Sequence, residues 1–212
     1  NLTIAAGAQV VSGGPQFNAE TINPQGTNNV VRNFGLVQKI TAGNAVFFES
    51  ASGNNIFVNE STGVVRVVNT AQSAIGGSGS VDFTNRGAVE GSLRFFGGND
   101  TMRFFTGSSI TGDVSGGAGN DRVFLSGTGA STLPGAFSGF ETLTKTDSGT
   151  WTLSGSISGV TVSTIQQGTL ILTGDNAAYT GQVIVEPAGT LEAQARSLPP
   201  TVTNNGLVRF AQ

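Results

Sequence analysis

Asparagine recurs at a constant interval in the first half of this chain. Asn33, Asn59 and Asn85 follow one another at the same offset of 26 each time (59 − 33 and 85 − 59). Asparagine tolerates the left-handed backbone of a sharp bend, and amides stacked in successive coils can hydrogen-bond to one another. We therefore interpret these residues as a structural ladder at one corner of a repeating coil, in preference to a catalytic group.

A second repeat occupies the C-terminal third. Gly149, Gly168 and Gly189 are each followed by threonine and a large apolar residue, at intervals of 19 and 21 (168 − 149 and 189 − 168). Periods in this range, carried by Gly, Asn, Thr and β-branched residues, are typical of solenoids whose unit is one coil of backbone. Function should then lie on the faces or ends of a rod.

The pattern between these repeats predicts an all-β fold. Apolar residues at helical spacing are interrupted by Gly or Asn, and only 192–198 is expected to form a short helical turn. Short strands bounded by Gly and Asn are predicted at 64–68, 101–105, 122–125, 169–172 and 182–185. We predict a right-handed parallel β-helix of roughly eight to eleven coils, because a sandwich or barrel needs no matched residues at constant offset.

Unit length suggests three segments within one domain. Coils of about 26 residues are expected over 1–93, and coils of about 21 over 94–144, where Gly-Asn-Asp recurs at that offset. Residues 145–212 carry the second repeat. A chain of 212 residues can form one continuous domain, so we predict a single β-helical domain over 1–212.

Composition excludes several classes of function. The net charge of −3 and a pI near 4.8 argue against a nucleic-acid partner. The sequence contains no cysteine and no histidine, which removes disulfides, thiolate chemistry, imidazole bases and most zinc sites. Asp147-Ser148-Gly149 is therefore interpreted as a turn, and we predict no cofactor, no metal and no catalytic residue. Because the chain begins at Asn1, we expect a mature or excised piece.

The C-terminal third resembles a known family motif. Residues 145–155, Lys-Thr-Asp-Ser-Gly-Thr-Trp-Thr-Leu-Ser-Gly, resemble the opening of the passenger-associated repeat of Gram-negative autotransporters. Residues 174–185 and 188–191 are similar to its continuation, with an extra alanine and with Val183 where threonine is commoner. The resemblance covers about 145–210; the upstream part is similar only to the general style of passenger β-helices.

This resemblance implies type V secretion and a place on the bacterial surface or outside the cell. Export would use an outer-membrane translocator barrel that lies outside this chain. Passengers of the family act mostly as adhesins, aggregation factors, toxins or proteases. We predict a non-enzymatic stalk or binding rod in host-cell attachment or self-aggregation, with a host surface protein, a host glycan or another copy of the chain as its partner.

Two other interpretations start from acidic residues. A β-helical lyase or glycosidase would need clustered carboxylates, and stacking could bring Asp100, Asp113 and Asp121 together. Residues 116–124 also fit a calcium-binding nonapeptide, without a tandem copy beside it. If the offset of 21 is one coil, Asp100 and Asp121 stack, and they are either calcium ligands or two solvated turn carboxylates.

Paired phenylalanines mark a candidate interaction face. Phe95-Phe96 and Phe104-Phe105 each follow an arginine, and 47–48 is a third pair. Consecutive side chains in a strand point to opposite faces. We favour burial of both members at a corner or under a loop, because large exposed apolar patches are rare. The alternative is an adhesive face that includes Phe95, Phe96, Phe104 and Phe105.

Overall fold

The chain forms an all-β parallel solenoid of about seven turns. The computed structural model describes residues 1–13, 20–49, 53–69 and 72–211, and no helix occurs among them. The strands are β1 (Leu2–Ile4), β2 (Gln9–Ser12), β3 (Val30–Asn33), β4 (Leu36–Lys39), β5 (Val46–Phe48), β6 (Asn55–Asn59), β7 (Val64–Val67), β8 (Ser73–Gly77), β9 (Val81–Asn85), β10 (Ala88–Glu90), β11 (Ser92–Phe95), β12 (Thr101–Phe105), β13 (Ser109–Ile110), β14 (Val114–Ser115), β15 (Arg122–Ser126), β16 (Ala130–Leu133), β17 (Phe137–Ser138), β18 (Thr142–Lys145), β19 (Thr150–Leu153), β20 (Ile157–Ser158), β21 (Val162–Leu172), β22 (Gln182–Ala193), β23 (Thr201–Asn204) and β24 (Leu207–Phe210).

Three parallel sheets form the walls of the rod. The first sheet has 13 strands, and its spine runs β1-β3-β6-β9-β12-β15-β18-β21; β22 pairs with β21 and carries β23 and β24 on its other edge. The second sheet is β13-β10-β7-β4-β2 and the third is β20-β17-β14-β11-β8-β5. Towards the C-terminal end, the long strands β21 and β22 pass around a corner, so β16 and β19 also join the first sheet.

Strand register confirms the sequence intervals. Asn33 pairs with Asn59 and Asn59 with Asn85, at the offset of 26 each time. In the middle, β12 and β15 pair at an offset of 21, Thr101 with Arg122. Near the C-terminal end, Thr150 pairs with Thr169 and Thr169 with Thr190, the offsets of the glycine repeat. Equivalent positions therefore lie above one another along the rod.

Two expectations are corrected. The predicted eight to eleven coils exceed the observed turns, about seven, because that count divided the whole chain by the repeat intervals. Among the described residues, the third sheet has only six strands, so not every coil contributes to all three walls. The first coil is also longer than the repeat intervals, because Leu2 pairs with Val31 at an offset of 29 (31 − 2). The helical turn expected at 192–198 does not form, because β22 continues to Ala193 and an ordinary turn follows.

Inward-facing side chains form one continuous apolar core. Strands alternate buried and exposed positions, as in β12, where Met102 and Phe104 are buried between outward residues. Aromatic rings contact one another from coil to coil: Phe57 and Phe83 are stacked with ring centroids 5.7 Å apart, and Phe83 and Phe104 meet edge to face with centroids 6.1 Å apart. Such pairs add to the stabilisation from apolar burial. Trp151 is fully buried in the same core.

The predicted asparagine ladder is present and buried. Asn33 Nδ2 donates to Asn59 Oδ1 at 2.9 Å, and Asn59 Nδ2 donates to Asn85 Oδ1 at the same distance. All three residues are fully buried. The amides also satisfy backbone groups of the corner, as when Gly35 N–H donates to Asn33 Oδ1. The ladder therefore fixes the corner between the first and second sheets in three successive coils.

Candidate functional site

The phenylalanine pairs split between core and surface. Phe95 and Phe104 are buried, whereas Phe96 is 55% exposed and Phe105 is half-buried. The favoured expectation, burial of both members, is therefore wrong. Strand alternation sends one ring inward and the other outward. Of the four residues of the candidate interaction face, Phe96 and Phe105 are the ones that solvent reaches.

The two outward phenylalanines lie in different surroundings. Phe96 follows β11 of the third sheet and contacts Phe47, whose ring centroid lies 6.1 Å from its own. Phe47 is half-buried and lies over Gly76 of the strand between them. We call Phe47 and Phe96 the phenylalanine patch. Arg94, exposed two residues before Phe96, adds a charge beside the patch.

Phe105 belongs to an arginine-aromatic row on the outside of the first sheet. The Arg86 guanidinium lies 4.3 Å from the Phe105 ring centroid, and Arg103 lies 5.6 Å from the Phe124 centroid. Arg103 also pairs with Asp82 of the preceding coil. Cation–π contacts of this kind at half-exposed sites are worth about 0.5–1 kcal/mol. They link each aromatic ring to an arginine of the preceding coil.

The acidic residues of the Gly-Asn-Asp repeat cap backbone groups. Asn55, Val81, Asp100, Asp121 and Glu141 occupy one aligned corner at the start of the first sheet, which we call the corner column. Val81 N–H donates to Asp100 Oδ1, and Asp100 N–H donates to Asp121 Oδ1, both at 2.7 Å. Asp121 N–H donates to Glu141 Oε2 at 2.6 Å. Each carboxyl group therefore accepts the backbone N–H of the residue at the same position in the preceding coil.

Asp100 and Asp121 stack in adjacent coils, as the offset of 21 predicted. They are 1% and 0% exposed, so the prediction of solvated turn carboxylates is wrong. Burial raises the pKa of Asp100 to about 7 and that of Asp121 to about 6, because a charged carboxylate loses its hydration there. Within the part of the chain that the structure describes, each keeps one oxygen, Oδ2, without a hydrogen-bond partner.

Calcium ligation, the other interpretation of Asp100 and Asp121, would require more ligands than this pair. Calcium takes about six to eight oxygen ligands. Among the described residues, no group of three or more acidic side chains is arranged to hold a metal ion. Gly116 packs directly against Asp121, and a Cβ at that glycine would lie 3.0 Å from Asp121 Oδ2. The carboxyl pair therefore adjoins tightly packed backbone.

Most other acidic side chains are also engaged in holding the rod. Asp113, Asp147 and Asp175 accept backbone N–H groups at loops. Three more, Glu60, Asp82 and Glu90, pair with arginines of neighbouring coils, and Glu20 and Glu49 accept from side-chain amides. Asp113, which the enzyme interpretation would have placed near Asp100 and Asp121, follows β13 and caps Ala136 N–H at 2.8 Å.

Two lysines are structural as well. Lys145 is fully buried and its Nζ donates to the carbonyl oxygens of Asp147 and Gln167, the latter at 3.0 Å. Burial lowers the pKa of this ammonium group. Lys39 is also buried, and its Nζ contacts Ser12 Oγ at 3.3 Å. Alternation along β4 and β18 places both lysines on the same face as Val37 and Leu143, the buried residues two positions earlier. The prediction from sequence did not use this signal.

One open cleft lies between two loops near the C-terminal end. It has a volume of about 560 Å³ and is lined by residues from 175–180 and 195–200. Arg196 and a single carboxylate, Asp175, contribute its charges. Tyr179, which is buried at its wall, hydrogen-bonds through its hydroxyl to Ser163 Oγ at 2.7 Å. The cleft therefore has one acidic group, where hydrolysis of a glycoside usually needs two.

Comparisons with known proteins leave the family undecided. A scan with models of protein families finds no match, and searches of curated proteins and of solved structures likewise return none. Within the described part of the chain, no helix has the length and apolar character required to span a membrane.

Proposed function

We propose that this chain is a non-enzymatic rod of a bacterial surface protein. It is a right-handed parallel β-helix of the autotransporter-passenger type, which acts as a stalk or binding rod in host-cell attachment or self-aggregation. The resemblance of residues 145–210 to the passenger-associated repeat supports the secretion route. The stacked coils support the mechanical role, because each coil buries its apolar face on a finished neighbour.

The use of the acidic side chains is the observation that carries this proposal. Asp100 and Asp121, two of the three carboxylates that an enzyme would have needed together, point inward and cap backbone N–H groups. Asp113 caps a different loop. A lyase or glycosidase requires carboxylates directed at bound sugar. The alternative function, a carbohydrate-active enzyme, is therefore less well supported than the rod.

Binding by such a rod would use its lateral surface. The phenylalanine patch offers two contacting rings beside Arg94, and aromatic and arginine side chains commonly contribute most to an interface. A host surface protein or glycan, or a second copy of the chain, would meet this surface. The outer-membrane translocator barrel required for export would lie outside this chain.

Substitution of the patch tests adhesion. Beads coated with the chain are expected to aggregate or to attach to cultured epithelial cells, as counted by flow cytometry. Phe96→Ser should weaken attachment about tenfold or more, because it removes the exposed ring of the patch. Val68→Ser is the control: Val68 is 58% exposed, close to Phe96 in exposure, and follows the second sheet.

Three outcomes are informative. Equal loss in both variants would mean that general surface hydrophobicity, not the patch, causes attachment. Coated beads that neither aggregate nor attach would leave only the stalk role. Release of reducing ends or unsaturated uronates from a panel of polysaccharides would contradict the non-enzymatic proposal.

A further inference from the structure

Two carboxyl groups, those of Asp100 and Asp121, are enclosed in the middle of the rod. In both Asp100 and Asp121, Oδ1 accepts one backbone N–H, and Oδ2 is buried with no hydrogen-bond partner among the described residues. A buried charge is strongly disfavoured unless it is paired or fully hydrogen-bonded. One N–H donor per carboxylate does not meet that requirement. Protonation, which removes the charge, is therefore favoured for each group.

We propose that Asp100 and Asp121 form a proton-held joint between successive coils, which is closed when the carboxyl groups are protonated and loosens when they ionise. The neutral acid keeps Oδ1 as the acceptor for the backbone while it removes the charge from Oδ2. Ionisation of both places two negative charges in adjacent coils. The middle of the rod should therefore hold together best in mildly acidic surroundings.

Neighbouring charges favour the protonated form. Glu141 of the next coil accepts Asp121 N–H and adds a negative charge on that side. In the preceding coil, Asp82 follows Val81 but pairs with Arg103 on the outer surface. Arg122, which follows Asp121, is exposed. Among the described residues, no lysine or arginine hydrogen-bonds to either buried carboxyl group.

Other coils show that a neutral side chain can also cap a backbone N–H of the neighbouring coil. Asn55 Oδ1 accepts Asn29 N–H at 3.0 Å in an earlier coil of the corner column. Asn176 Oδ1 accepts Ile157 N–H at 2.9 Å, and its Nδ2 donates to Ser197 O at 3.0 Å. An amide at position 100 or 121 should therefore retain the cap and lose the titration.

The direction of the pH effect follows from linkage. The pKa of Asp100, about 7, and that of Asp121, about 6, lie above the ordinary aspartate value of 3.8 because of burial. Between these values and the unfolded ones, the folded state binds more protons than the unfolded state. The stability that these protons supply is complete below the unfolded pKa and is lost as pH rises through the folded pKa.

Thermal unfolding as a function of pH tests the joint. We expect the Tm of the parent chain to fall as pH rises from about 4 to about 8. Asp100→Asn should remove about half of that fall or more, and Asp121→Asn a smaller part. Asp113→Asn is the matched control, because Asp113 caps a backbone N–H but is exposed to solvent. Its pH dependence should follow the parent.

A second measurement does not depend on the variants folding. Carboxyl ¹³C NMR of the parent should show two side chains that titrate between about pH 5.5 and 7.5, above ordinary aspartates. Amide exchange, corrected for its intrinsic pH dependence, should lose protection at Val81 and Asp100 over the same range. Carboxyl groups that all titrate below about pH 5 would overturn the inference.

Calcium distinguishes a proton from a cation at the same oxygens. At about pH 8, calcium chloride should leave the parent Tm unchanged if protons alone neutralise the pair. A rise of Tm with calcium that Asp100→Asn abolishes would overturn the proton-held joint and assign the unpartnered oxygens to a metal. Equal pH profiles for the parent and Asp100→Asn would also overturn it.

Discussion

Gly119→Ala is expected to prevent stable folding of the rod. Gly119 has φ +144° and lies directly against the carbonyl group of Gly98 in the preceding coil. A methyl group there would lie far inside van der Waals contact with that oxygen, which is fixed backbone. Coils spaced by about 4.8 Å leave no space for such a group. The free energy of unfolding should fall by about 4 kcal/mol or more, a loss that single substitutions cause only through severe steric or backbone effects.

Gly107→Ala provides the matched control. Gly107 also has positive φ, +91°, but no heavy atom lies within 4 Å of the position that a methyl group would take. Only conformational strain remains, and about 1–2 kcal/mol is expected. Urea unfolding followed by far-UV circular dichroism and by the fluorescence of Trp151, the only tryptophan, measures both. Equal losses in the two variants would contradict the close approach of the coils.

The stacking of the coils also explains which parts of the fold could be predicted from the sequence. Stacked coils place equivalent residues above one another, so the constant interval of Asn33, Asn59 and Asn85 became a ladder in the structure. The offset of 21 likewise placed Asp100 beside Asp121. Register is readable because parallel pairing repeats it in every coil. The number of turns could not be predicted in this way, because the lengths of the loops between strands differ from coil to coil.

The direction of individual side chains was the harder part. Asp100 and Asp113 are both aspartates of Gly-rich loops, yet Asp100 is buried and Asp113 is exposed. Burial depends on which side of a corner the backbone turns towards, and the local sequence carries no clear signal for that. Phe95 and Phe96 were misjudged for a related reason: alternation along β11 proved stronger than the tendency of large apolar rings to be covered.

Side-chain contacts between neighbouring coils of the first sheet were also missed. Arg86 lies over Phe105 and Arg103 over Phe124, at offsets of 19 and 21 (105 − 86 and 124 − 103). A search for complementary pairs at the coil period would have found them. Both contacts lie on the outer face of the first sheet and join adjacent coils, so the arginine-aromatic row follows from the coil repeat.

Asn59→Ala is expected to be the most damaging change in the asparagine ladder. Asn59 Oδ1 accepts from Asn33, and Asn59 Nδ2 donates to Asn85 Oδ1 and to the carbonyl oxygens of Gly63 and Ala88. Alanine removes all of these hydrogen bonds, leaves the buried Asn85 Oδ1 without its donor, and opens a cavity. We expect a loss of about 3–5 kcal/mol in the free energy of unfolding from urea titration.

Asn204→Ala separates the ladder from the local turn. Asn204 occupies the same corner near the C-terminal end, and Gly206 N–H donates to its Oδ1 at 3.1 Å, as Gly35 N–H donates to Asn33 Oδ1. Asn204 is exposed, so water can replace the lost bond and about 0.5–1 kcal/mol is expected. A loss at Asn59 as small as that at Asn204 would mean that the stacked amides contribute no more than a single turn. A much larger loss at Asn59 would establish that the ladder stabilises the corner through amides shared between coils.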